Sequence, residues 1–190
     1  KMRLRQFSEL LSRLLILFCL ADLASASQLA KQVVINRDQW GVPHIRGESD
    51  AAVVFGSAWA QSEDHFWQLE DTYIKALGRH AEIVGDSGIR SDLDVALFDI
   101  VGSSQRDFTS LPAEIQTLAR AFADGYNFFL EHNPEVTPRL ISRMEPWHVL
   151  AFERYMILPR LLGAAHAPSR EVTRLEAEEL ASLGSNQWAI

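Results

Sequence analysis

Residues 110–134 read SLPAEIQTLARAFADGYNFFLEHNP. Ser110 and Pro112 open a helix, because proline's fixed φ suits the first turn and its missing N–H is not needed there. Ile115, Leu118, Ala119, Phe122, Ala123, Tyr126, Phe129 and Leu130 then fall on one face. Asn133-Pro134 ends the run. Upstream, Val54, Ala58, Phe66, Leu69, Tyr73 and Leu77 recur at near-helical spacing, after a cap supplied by Ser49 or Asp50 and before a stop at Gly78.

Working outward, a third helix begins near Pro146-Trp147, and Pro159 should end or kink it. A fourth is expected from about Ser169 to Leu183, with Val172, Leu175 and Leu180 as its apolar stripe. Val33-Val34-Ile35 reads as a short strand, Arg37 to Gly41 as a turn, and Val42-Pro43-His44-Ile45 as a second strand. Pro43 cannot donate to a ladder, which places the second strand at an edge. Gly85-Asp86-Ser87-Gly88 reads as a loop. No internal repeat or low-complexity linker is visible. The expected class is α+β, mostly helical with short edge strands. Two short strands make no independent sheet, so the inventory reads as the front part of something longer.

Composition narrows the function classes. The 190 residues are 47% apolar and 23% charged, with five Trp and ten Phe, which suits a packed domain and not a disordered one. The formal charge is −7, and no basic stripe is available for phosphates, so no nucleic-acid partner is expected. Cys19 is the single cysteine, so no intrachain disulfide forms.

Lys1, Arg3, Arg5 and Arg13 precede the apolar run from Leu14 to Leu20, and Ala24-Ser25-Ala26 matches a signal-cleavage site. The run is far short of the ~20 residues that span a bilayer. Residues 1–26 are therefore expected to be a cleaved secretory signal, leaving a periplasmic or secreted protein with no membrane association after cleavage.

Several chemical motifs are missing. His44, His65, His80, His132, His148 and His166 form no H-E-x-x-H pair, and no G-x-S-x-G elbow exists. Asp92-Leu93-Asp94 lacks the further ligands of a calcium loop, and Glu176, Glu178 and Glu179 read as a solvated helix face. Gly184-Ser185-Asn186-Gln187-Trp188-Ala189-Ile190 is locally a glycine helix stop followed by an apolar stretch.

An ordered set of short pieces adds to this. It runs through Arg37-Asp38-x-x-Gly41-Val42-Pro43-His44-Ile45, Gly56-x-Ala58-x-Ala60-Gln61-x-Glu63-Asp64 and Phe66-Trp67-Gln68-Leu69. It continues with Gly78-Arg79-x-Ala81-Glu82-x-x-Gly85, Ala121-x-Ala123-x-Gly125-x-Asn127, Glu145-Pro146-Trp147 and Gly184-Ser185-Asn186-x-Trp188-Ala189-Ile190. From Val33 onward the chain resembles the small subunit of the penicillin acylase family of N-terminal-nucleophile hydrolases, which are made as one precursor. The resemblance implies a signal at 1–26, a small subunit with its connecting segment at 27–184, and the start of the large subunit at 185–190. It also implies that this piece belongs to an αββα sandwich.

In such enzymes the protein itself cuts a Gly–Ser bond, matched here by Gly184 and Ser185. The freed serine is nucleophile and base in one residue. A serine hydroxyl needs an adjacent base, and an α-amine with a pKa of about 7.7–8.0 is roughly 15% unprotonated at pH 7. Attack on an amide carbonyl gives a tetrahedral oxyanion, then an acyl-enzyme that water resolves; the oxyanion hole is expected from the large subunit. Gap-free counting from Glu145 places the family's acyl-pocket positions on Ile157, Arg160 and Leu161. No cofactor is expected for catalysis. A structural calcium is implied, with Glu171 as its ligand if four residues are inserted before it. The expected partners are the chain's own large subunit and a small N-acylated amide. The rival reading is a non-catalytic helical periplasmic binding or interaction protein, with Ser185 a mere cap.

Overall fold

The computed structural model describes residues 25–165, with side chains through Leu158. The described residues fall into two compact units, divided between Arg154 and Tyr155. In the first, helix α1 covers described residues 25–31 and leads into strand β1, Val33–Arg37. Strand β2, Pro43–Gly47, pairs antiparallel with it, Ile35 opposite Ile45 and Arg37 opposite Pro43. Two strands have only edges, so Pro43 sits where its missing N–H costs no ladder bond.

The turn between them is built by Asp38. Its carboxylate accepts the Trp40 and Val42 N–H groups at 2.8 and 3.0 Å. Gly41 takes φ +80°, a conformation that a side chain disfavours.

Helix α2, Asp50–Ala76, starts at Ser49, whose Oγ accepts the Ala52 N–H at 3.2 Å. Of the two expected caps it is therefore Ser49 that acts. The helix is interrupted at His65, φ −150° and ψ 53°, directly after Glu63 and Asp64, which Arg37 of β1 clamps at 2.5 and 2.8 Å. Ser62, one turn earlier, hydrogen-bonds back to the Ala58 carbonyl, a contact that bends helices.

Helix α6, Ala113–His132, lies against α2. Ala58, Ala121 and Ala123 are buried where the two meet. Gly125 marks the closest approach: a Cβ there would stand 2.4 Å from the Phe55 carbonyl oxygen. Phe66 stacks on Tyr126 and Phe129, with centroids 5.3 and 5.8 Å apart. Ile115, expected on the buried face, is 47% exposed, because it sits in the first turn, beyond that close contact.

Between α2 and α6 the chain makes helix α3, Ala81–Val84, a 3₁₀ turn at Gly85–Gly88, helix α4, Ile89–Leu97, and helix α5, Ile100–Asp107. The expected loop at Gly85–Gly88 is this turn. The short helices were not foreseen, since each is too brief to show a period. Helix α7, Pro146–Ala165, begins where expected but runs through Pro159 without ending there. Among the described residues no helix is long and apolar enough to cross a membrane. The expected fourth helix and the signal segment before Ser25 lie outside them.

Candidate functional site

The expected pocket positions Ile157, Arg160 and Leu161 stand at i, i+3 and i+4 of α7, so they share one helix face. Ile157 is 49% exposed. The side chains of Arg160 and Leu161, and all of Glu171, Gly184 and Ser185, lie outside the described residues. The described residues therefore define how the first turns of α7 are set.

The chain reaches α7 through residues 133–145, which have no regular structure, yet Ile141 and Met144 are buried. Buried irregular backbone must find partners for its N–H and C=O groups. Glu70 of α2, fully buried, accepts three of them: Arg139 N–H at 3.0 Å, Leu140 N–H at 2.9 Å and Ile141 N–H at 3.0 Å. Tyr126 donates its hydroxyl to the Ile141 carbonyl at 2.9 Å. Burial pushes the Tyr126 pKa well up, so the phenol keeps the proton it donates. Asn127 bonds both groups of Met144, accepting its N–H at 2.7 Å and donating to its carbonyl at 2.9 Å.

At the helix start, His148 closes the end. Its Nδ1 accepts the Glu145 N–H at 3.2 Å, the bond that a glutamate makes in a capping box. Burial holds the His148 pKa down to about 4, so the ring is neutral at pH 7. Two turns on, Arg154 donates to Ser103 Oγ of α5 at 2.6 Å and to Asp107 at 2.8 Å. The Tyr73 and Phe152 rings meet at 5.3 Å. The early turns of α7 are thus fixed by α2 and α5, and the connection that leads into them by α2 and α6.

Comparison with known proteins decides the family. The model for penicillin amidase matches residues 32–190. The chain belongs to the penicillin amidase family. Over 144 residues it is 36% identical to the penicillin acylase 2 proenzyme of Pseudomonas sp. (strain SE83), covering 72% of this chain and 18% of that protein. It is 26% identical over 135 residues to the acyl-homoserine lactone acylase PvdQ of Pseudomonas fluorescens (strain Pf0-1), covering 66% of this chain and 17% of that one. The chain therefore spans less than a fifth of these relatives. The fold matches a thermostable penicillin G acylase from Alcaligenes faecalis with a TM-score of 0.58 at 22% identity, covering 83% of this chain and 95% of that one.

Within this member of the family, the short pieces that carry the resemblance are largely scaffold. Arg37, Glu63 and Asp64 join the hairpin to α2. Asp38 shapes the turn, and the His44 ring at 3.2 Å, with the Trp40 amide, holds its carboxyl below the usual range. Arg79 and Glu82 form a two-bond pair at 2.7 and 2.8 Å. Sequence reasoning missed Glu70. Its signal was present: Phe66, Glu70, Tyr73 and Ile74 share the buried face of α2, and a carboxylate there demands a partner. Among the described residues no group of three or more His, Cys, Asp and Glu side chains is placed to hold a metal ion.

Proposed function

We propose that this chain is the small-subunit portion of an exported, acylase-type amidase that hydrolyses a linear N-acyl amide. The observation that carries the reading is the family match, which runs through Gly184 and Ser185 to residue 190. A relative bearing the name of a proenzyme supports it.

In this reading the precursor cuts itself between Gly184 and Ser185. The hydroxyl of Ser185 attacks the amide carbonyl while its freed α-amine takes the proton, through a water. The acyl-enzyme then reacts with water to release the acid. Ile157 and Leu161 shape the acyl pocket and Arg160 borders it. Glu171 is a calcium ligand held for structure alone. The large subunit supplies the oxyanion hole, and this piece alone is inactive.

The decisive experiment uses the full-length gene. Ser185→Ala should leave one uncleaved chain with no amidase activity, read by denaturing gel and N-terminal sequencing. Two chains from that variant, or a wild-type large fragment beginning elsewhere, would refute the reading. Within a processed enzyme, Leu161→Phe should change relative kcat/KM among acyl chain lengths by about tenfold or more, since an apolar pocket discriminates by ~1–3 kcal/mol per methylene. An unchanged profile removes Leu161 from the pocket.

A further inference from the structure

Beside the start of α7 lies a cleft of about 280 Å³ that the catalytic reading does not use. Leu77, Val101, Leu140 and Trp147 give it apolar walls, and Arg79, Arg143 and His148 also line it. No carboxylate is among its lining residues, although the chain carries a net charge of −7. Arg79 is paired with Glu82, and Arg143 stands 3.5 Å from Glu145.

His148 is the informative group. The residue is 7% exposed. Its Nδ1 is occupied by the Glu145 N–H, which leaves the hydrogen of the neutral ring on Nε2. That Nε2–H has no hydrogen-bond partner among the described residues. It is also not sealed in the interior, where Ser91 Oγ is the one fully buried side-chain polar atom without a partner among those residues. His148 is among the residues that line the cleft, so this donor is available to a ligand there. The positive end of a 20-residue helix lies at the same place, because His148 is the third residue of α7.

We propose that this cleft binds a small monocarboxylate with a short apolar tail, the carboxylate accepting the His148 Nε2–H and the tail lying on Leu77, Val101, Leu140 and Trp147. The volume is near the lower end for small-molecule pockets, which limits the ligand to a short chain. The proposal rests on the cleft alone and not on the catalytic reading.

The test is calorimetric titration of the full-length protein with sodium hexanoate, with 1-hexanol and inorganic phosphate as comparisons. His148→Asn keeps an acceptor near the Nδ1 position but loses the Nε2 donor. It should weaken hexanoate binding by about tenfold or more. His148→Gln keeps a donor near the Nε2 position and should stay within about threefold of the wild type. Val101→Phe fills the cleft, leaves His148 intact and should abolish binding, which keeps the test decisive if an Asn variant fails to fold. 1-Hexanol and phosphate should each bind at least about tenfold more weakly than hexanoate. The proposal is overturned if wild-type protein does not bind hexanoate, if 1-hexanol or phosphate binds as tightly, or if neither His148→Asn nor Val101→Phe alters binding. That last result would place hexanoate at another site.

Discussion

The α2–α6 contact and the 133–145 connection are both buried, but they are held by opposite means. Between the helices, small side chains and stacked rings fill the space, and away from the interruption at His65 the backbone pairs its groups within its own helix. In the connection no such ladder exists. Its amides and carbonyls are paired instead by Glu70, Tyr126 and Asn127, side chains that the two helices lend to it. The difference teaches that helix packing here tolerates gradual change, whereas the connection depends on a few polar atoms whose loss leaves others without partners.

Glu70→Ala should have the largest effect on this contrast. Three buried N–H groups lose their acceptor, at a cost of roughly 3–5 kcal/mol. In the full-length protein, amide exchange at residues 139–141 should accelerate strongly while the middle of α6 stays protected. Unchanged exchange at 139–141 would show that the carboxylate is dispensable. Glu70→Gln should recover part of the loss, because one oxygen can still accept.

Acid should act next, through His148. Its pKa in the fold is about 4 against an ordinary 6.5, so the unfolded chain takes up this proton first. The stability it contributes is complete above pH 6.5 and is lost as pH falls to about 4. The loss is on the order of 2–3 kcal/mol. Denaturant unfolding of the full-length protein between pH 7 and pH 4 should show a smaller decline in His148→Asn than in wild type. Equal declines would mean that His148 is not kept neutral.

Gly125→Ala tests the helix side of the comparison and should cost least. Alanine favours a helix over glycine by roughly 0.5–1 kcal/mol. Its methyl would, however, press on the Phe55 carbonyl, 2.4 Å away, and the helices must part. A net loss of about 1–3 kcal/mol is expected, seen as a lower melting temperature of the full-length protein. A melting temperature at or above wild type would show that the α2–α6 contact can shift freely.

Sequence alone determined the two long helices, the hairpin, the cap at Ser49 or Asp50 and the start of α7, because each has a period or a turn residue that acts over a few neighbours. It also carried the family, to which the ordered short motifs pointed and whose model matches residues 32–190. The three short helices between Gly78 and Ser110 were not legible, as fewer than three turns show no periodicity. Only the tertiary structure could decide that Glu70 meets the amides of residues 139–141, some seventy positions away. Likewise it alone shows that His148 turns one nitrogen to the Glu145 amide and that the residue lines a cleft. Partners so distant are chosen by packing, and a local pattern holds no record of which buried amide will lie beside which side chain.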